Sequence, residues 1–243
     1  QHTYRITKMI CDQANLDFKI NIPLGAFKKT ARLKVEQHNK AKALSLNEQQ
    51  HLMYYLTDRK DKNLSHYQTF IFCLIALYTG MRTGELGALT WNDIDLANKT
   101  IDINKAIAKS SKGHTIKETK SMAGMRNISI NPLVVEHLRE YRDYLNQIGN
   151  VFNLSSWVFS EPSDASQHLP ITIWSNRVSQ AMSDCNIKHS AHSLRHTHAS
   201  NLLMNNCPLI QVSHRLGHAD ASITLKVYSH FLEELTVDFD EYL

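Results

Sequence analysis

The longest unbroken apolar run of the chain is "FIFCLIALY", Phe70 to Tyr78, nine residues bounded by polar sequence. A bilayer span needs about 20 such residues, so the run excludes a membrane helix and no membrane partner is expected. It lies instead in a helix expected over residues 66–79, which Gly80 stops. Other punctuation sets the remaining elements around it. Ser45 with Glu48 forms a capping box that starts a helix near Asn47, and a short helix begins near Thr83. "TIDINKAIA" (100–108) and "RNISI" (126–130) alternate apolar and polar residues, as half-buried strands do, with an extended polar loop between them. Asn131 followed by Pro132 opens another helix. "WVFS" (157–160) suggests a short strand, and helices are expected over 171–185, 194–205, 209–216 and 222–230. Residues 4–14 suggest one more short helix. The fold class is mainly α with one small antiparallel sheet, α+β.

Charge narrows the partner. The net charge is only +4, but residues 231–243 hold five acids and no Lys or Arg, leaving 27 basic against 18 acidic residues before them. Between 28 and 42, Lys28, Lys29, Arg32, Lys34, Lys40 and Lys42 face a single acid, Glu36. A basic body points to a polyanion, with nucleic acid the first candidate. For residues 28–42 alone a solvated linker reads equally well. Cys11, Cys73, Cys185 and Cys207 are widely spaced without a CxxC, which reads as buried thiols in a reducing cytosol. The first residue is Gln1 rather than Met, which suggests a piece of something longer.

"AHSLRHTHAS" (191–200) packs three histidines and an arginine into ten positions. His192 and Arg195 are three apart and share a helix face. With Ser193 as N-cap, both fall near the first turn, where free N–H groups and the dipole favour an anion and a guanidinium fork suits phosphate. A zinc site draws on the same residue types, and His192/His196 and His214/His218 have i,i+4 spacing. The HExxH glutamate is missing, however, and four ligating histidines leave Arg195 facing a dication. No metal and no cofactor are expected. Arg82 stands in "TGMRTGEL", Lys120 in "TKSMAGMRNISI", His218 in "HRLGHAD" and Tyr228 in "LKVYSH". Each alone is weak; the ordered set is specific.

That set resembles the tyrosine recombinases, or phage-type integrases, whose pattern is an arginine in TGxRxxE, a hairpin lysine, HxLRH, LGH and a YxH nucleophile motif. The resemblance runs from about residue 43 to 230 and is most similar to integrases of Gram-positive phages and conjugative transposons. It implies the tyrosine recombinase catalytic-domain fold and a site-specific transesterification of DNA like that of type IB topoisomerases. Tyr228 is then the nucleophile, giving a 3′-phosphotyrosyl intermediate and a free 5′-hydroxyl. Arg82 and Arg195 clamp the scissile phosphate, and Lys120 protonates the leaving oxygen. His192 assists removal of the Tyr228 proton, His218 donates to the phosphate, and Glu85 braces Arg82. Lys112 and Lys117 share the loop with Lys120, which is preferred for its six-residue spacing to Arg126. Lys112, Lys117 and Arg126 join the basic linker as candidate DNA contacts. His196 and His198 read as packing or surface residues.

By the same resemblance, residues 1–42 are the end of a core-binding domain plus a basic linker, 43–230 the catalytic domain and 231–243 an acidic tail. The partners implied are double-stranded attachment-site DNA, further copies of the chain in a tetramer on DNA from a monomer in solution, and an excisionase or host DNA-bending protein. The setting implied is the cytoplasm of a bacterial host. Rival readings are a catalytically silent DNA-binding regulator on the same fold and a zinc-dependent hydrolase.

Overall fold

The computed structural model describes residues 43–110, 113–118, 124–150, 153–162 and 164–233. The segments 1–42, 111–112, 119–123 and 234–243, and with them the expected helix at 4–14, the basic linker, Lys112 and Lys120, lie outside the described residues.

Helix α1 (Leu46–Arg59) starts at the expected capping box: Ser45 N–H donates to Glu48 Oε2 at 2.8 Å and Glu48 N–H to Ser45 Oγ at 3.3 Å. Helix α2 (Leu64–Thr79) begins two residues earlier than expected, because the Asn63 side chain accepts from His66 N–H and caps it. It carries the centre of the main core, with Phe70, Ile71, Phe72, Cys73 and Ile75 fully buried. Helices α1, α4 (Pro132–Gln147), α5 (Ile171–Asp184) and α6 (Ala191–Met204) all pack on it. Gly80 closes α2 at φ +67°, the left-handed conformation that favours glycine. A β-carbon there would stand 2.6 Å from His198 Cδ2 and 2.8 Å from Leu216 Cδ2. Helix α3 (Thr83–Gly87) follows.

Strands β1 (Ile94–Asp95), β2 (Thr100–Ile103) and β5 (Arg126–Ser129) form an antiparallel sheet in the order β1-β2-β5, with Ile101 opposite Ile128 and Ile103 opposite Arg126. The strand expected over 100–108 is two strands. It breaks at Asn104, whose side chain donates to buried Asp93 at 2.9 Å. Lys105 Nζ also reaches Asp93, at 2.5 Å. The chain then enters β3 (Lys105–Ser110), which pairs with β4 (Gly113–Glu118) inside the segment expected to be loop. Ile107 is buried while its partner Ile116 is exposed, so only one strand of this hairpin faces the core. Of "WVFS" only Ser160 lies in a strand: Trp157 makes a single bridge to Thr90, and the hairpin of β6 (Ser160–Glu161) and β7 (Asp164–His168) begins at Ser160.

Helix α6 starts at Ala191, three residues before the expected start. Its N-cap is Ser190, and Ser193 is the inner residue of the cap, its hydroxyl accepting from Ser190 N–H at 3.4 Å. Helices α7 (Leu209–Leu216) and α8 (Ala221–Glu233) fold against α6. Ala199, Leu203, Val212, Leu216 and Tyr228 make a second, smaller apolar cluster among these three helices. Cys73 and Cys185 are buried, Cys207 only half-buried, and none of the three is in a disulfide. No helix among the described residues is long and apolar enough to cross a membrane.

Candidate active site

Three helix ends converge on one point. Arg195, in the second turn of α6, is 4% exposed and spreads its guanidinium between two helix C-termini. Nη1 donates to Gly80 O at 2.7 Å and Nη2 to Leu216 O at 2.8 Å. Carbonyls at helix ends lack intrahelical partners and carry the negative end of the dipole, so they suit a cation. Arg82, just before α3, donates from Nη2 to Gly217 O at 3.1 Å, which brings it to the same α7 terminus. Its Nη1 bonds Glu85 Oε1 at 2.8 Å, and its N–H bonds Glu85 Oε2 at 2.8 Å. Glu85 thus braces both the backbone and the side chain of Arg82.

Arg126, expected among the DNA contacts, turns inward instead. Nη2 meets Glu85 Oε2 at 2.9 Å, Nη1 meets Oε1 at 3.2 Å, and Nε donates to Arg215 O at 2.8 Å. A bidentate carboxylate pair fixes the planar fork, leaving it only 8% exposed. Two guanidiniums, Arg82 and Arg126, therefore share one carboxylate. Burial pushes the Glu85 carboxyl up, but the hydrogen bond and charge of Arg126, with the N–H and charge of Arg82, outweigh it and hold it below the ordinary carboxylate value. Burial, then the neighbouring Arg82, lowers Arg195 to about 10. The local charge excess is positive, and Arg82 remains 41% exposed toward solvent. An anion entering beside it would relieve that excess.

His218 follows the α7 C-cap Gly217 (φ +69°). A guanidinium has only donors, so the His218 Nε2 that Arg195 Nη2 meets at 2.8 Å accepts. Nδ1–H then donates to Thr224 Oγ1 at 2.7 Å. The ring is neutral, lowered to about 4 by burial and then by Arg195, Arg82 and Arg126. In this state its N–H donates into α8.

Tyr228 lies one turn after Thr224 on α8 and is 2% exposed. Burial raises its hydroxyl to about 12, against the opposing charge of Arg195. His196 Nδ1 lies 2.8 Å from Tyr228 Oη. His196 was expected to pack or face solvent; four residues after His192, it shares that residue's helix face and reaches the tyrosine from it. His192 itself is exposed and meets the His196 ring edge-to-face at 4.7 Å. One edge of the ring reaches solvent, but the rest is partly desolvated, and this, then Arg195 and Arg82, lowers His192. His198 is buried as expected of a packing residue, bonding Leu77 O through Nδ1 and accepting from Arg215 Nε at Nε2. Lys117 is exposed on β4. Among the described residues no three His, Cys, Asp or Glu converge as metal ligands.

The model of the phage integrase family matches residues 42–234. The chain belongs to that family. The integrase of Staphylococcus phage L54a is 35% identical over 180 residues, covering 68% of this chain and 48% of its own length. The ICEBs1 integrase of Bacillus subtilis (strain 168) is 26% identical over 164 residues, 65% of this chain and 44% of its own. The chain thus spans about half the length of these relatives. The fold is that of tyrosine recombinase catalytic domains. The Tn1549 transposon integrase (residues 82–397), solved with circular intermediate DNA, superposes with a TM-score of 0.63 at 19% identity, over 81% of this chain and 67% of that one. XerA recombinase gives 0.62 at 20% identity, over 83% and 65%.

Proposed function

We propose that the chain is the catalytic part of a site-specific DNA recombinase that integrates or excises a mobile element. The observation that carries this reading is the meeting of Arg82 and Arg195 at the α7 terminus (Gly217 O and Leu216 O), with Tyr228 on the following helix. Two positive forks beside a tyrosine suit attack on a phosphodiester. Tyr228 Oη bonds to phosphorus as the P–O5′ bond breaks, leaving a 3′-phosphotyrosine and a 5′-hydroxyl. Lys120 supplies the proton to the leaving oxygen. Arg82 and Arg195 stabilise the charge that develops on phosphorus, each contact worth about 3–4 kcal/mol by analogy with oxyanion donors. The ester energy is kept in the phosphotyrosine, so a second 5′-hydroxyl rejoins the strand without ATP, and paired exchanges pass through a Holliday junction.

The partner in this reading is double-stranded attachment-site DNA, bound by a monomer that assembles into a tetramer there, with an excisionase or host DNA-bending protein assisting. Residues 28–42 and Lys117 contact phosphates in passing.

Incubation with an attachment-site duplex nicked beside the cleavage point tests the reading. A denaturant-stable protein–DNA adduct is expected, and Tyr228→Phe abolishes it while leaving binding nearly intact. An adduct that persists in Tyr228→Phe means another nucleophile. Binding with no adduct from the unsubstituted chain means a DNA-binding regulator on the same fold.

A further inference from the structure

The proton of a tyrosine nucleophile has to go somewhere as its oxygen attacks. The motif implied His192, but it is His196 whose Nδ1 lies within hydrogen-bond distance of the Tyr228 hydroxyl, at 2.8 Å. We propose that His196 is a further catalytic residue, the one that takes the Tyr228 proton during attack and returns it on rejoining. This inference rests on the recombinase reading above.

The geometry around the pair supports it. Tyr228 is anchored by the apolar cluster of α6, α7 and α8, which holds its hydroxyl beside His196. His196 comes from the helix that carries Arg195 one residue earlier. The proton acceptor and the phosphate clamp therefore move as one rigid unit relative to α8. His192, one turn earlier on α6, is exposed and touches the His196 ring edge-to-face, which suits a residue at the mouth of the site rather than at its base.

Proton balance follows directly. Tyr228 Oη–H donates to His196 Nδ1, which requires the His196 proton on Nε2. As the Oη–P bond forms and P–O5′ breaks, the proton passes to Nδ1 and His196 becomes an imidazolium. The leaving O5′ takes its proton from Lys120. On rejoining, a 5′-hydroxyl attacks, phosphotyrosine leaves, and His196 reprotonates Oη.

The resting electrostatics keep the pair from reacting without DNA. His196 is held down to about 4 by burial, then by His192 and Arg195, while burial holds Tyr228 up at about 12. The neutral Tyr–OH···N form is therefore the resting one. A phosphodiester seated on Arg195 cancels part of the positive charge that opposes an imidazolium at His196, so the base is armed by the substrate it serves.

Two measurements test the assignment. The first needs no substitution: nitrogen-15 NMR of histidine-labelled protein reads the His196 tautomer. An unprotonated Nδ1 is expected, and a protonated Nδ1 donating to Tyr228 overturns the proposal. The second follows single-turnover cleavage of the nicked duplex with either oxygen or sulfur at the bridging 5′ position of the scissile phosphate. Sulfur leaves without an acid, so it separates help given to the nucleophile from help given to the leaving group. His196→Asn is expected to slow adduct formation about 100-fold with both duplexes, within the range of proton-transfer catalysis, with DNA binding within about twofold of the unsubstituted chain. An unchanged rate, or a defect that vanishes with sulfur, overturns the role of His196. Tyr228→Phe distinguishes the two levels: if it still forms the adduct, the nucleophile is wrong, whatever His196→Asn does.

Discussion

His218 donates from Nδ1 to the Thr224 hydroxyl at 2.7 Å while its Nε2 accepts from Arg195. One imidazole therefore joins the Arg195 guanidinium to the helix that carries Tyr228, four residues beyond Thr224. Thr224 is fully buried, so its hydroxyl is held in a single environment.

Thr224→Val keeps the shape and removes the acceptor, leaving the His218 N–H unpaired. A loss of about 1–3 kcal/mol is expected in denaturant unfolding, the usual penalty for an orphaned buried donor. Adduct formation should fall at least about tenfold through misplacement of Arg195 and α8, with DNA binding nearly unchanged. Thr224→Ser should restore both. If Thr224→Val cleaves normally, the His218 link has no part in aligning α8.

Glu85 is the counter-charge for Arg82 and Arg126 and is 3% exposed. Glu85→Gln leaves two guanidiniums facing each other, and breaking a buried pair in this way costs about 3–5 kcal/mol. The pH dependence has a definite sign. Because the folded carboxyl is held below its unfolded value near 4.3, its contribution is complete above that value and is lost as pH falls through the lower, folded one. Unfolding free energies measured from pH 5 down to pH 2 should therefore fall less steeply in Glu85→Gln than in the unsubstituted chain.

Much of this arrangement was legible in the sequence, because local chemistry dictated it. Ser45 with Glu48, Gly80 after an apolar run and Asn131-Pro132 each satisfy helix-end groups within three residues. The helices they bound are found nearly where expected. The motif residues were legible for a different reason: HxLRH and LGH are short, rigid patterns at a helix start and a helix end. What the sequence hid depends on long-range pairing. The β3–β4 hairpin buries only Ile107 from its facing pair, so no alternation announces it. Arg126 looked like a free cation because Glu85 lies 41 residues away. The role of His196 was hidden by its partner, 32 residues on, although its i,i+4 spacing from His192 was a usable signal.

Acid should weaken the fold well before the carboxylates titrate. His196, His198 and His218 are all lowered to about 4, in each case first by burial and then by neighbouring positive charge. Their unfolded counterparts bind a proton near pH 6.5. The unfolded chain thus takes up protons that the native state refuses, and stability is lost as pH falls from about 6.5 towards 4. Unfolding curves at pH 7, 5.5 and 4.5 should show a monotonic decline. His198→Gln, which removes one of the three, should flatten it. A pH-independent midpoint over this range would mean that these rings are not held neutral.

Binding and chemistry should respond to different cations. Arg82 and Arg195 each touch one phosphate in the proposed complex, and they act most strongly on the charge that develops during attack. Arg82→Ala or Arg195→Ala should therefore lower the rate of adduct formation by about 100-fold or more, while the many other phosphate contacts keep the dissociation constant within a few-fold. Lysines of the 28–42 segment carry charge but are not among the motif residues. Neutralising Lys28, Lys29 and Lys34 together should weaken DNA binding with little change in the rate of the bound complex. Each lost phosphate contact should also reduce the slope of log affinity against log salt by about 0.9, from counterion release on duplex DNA. Filter-binding titrations between 50 mM and 200 mM salt, run beside single-turnover cleavage, read both quantities on the same proteins. If the arginine and lysine variants shift affinity and rate in equal proportion, cleavage depends on overall charge, and the two-fork phosphate site is the wrong account of catalysis.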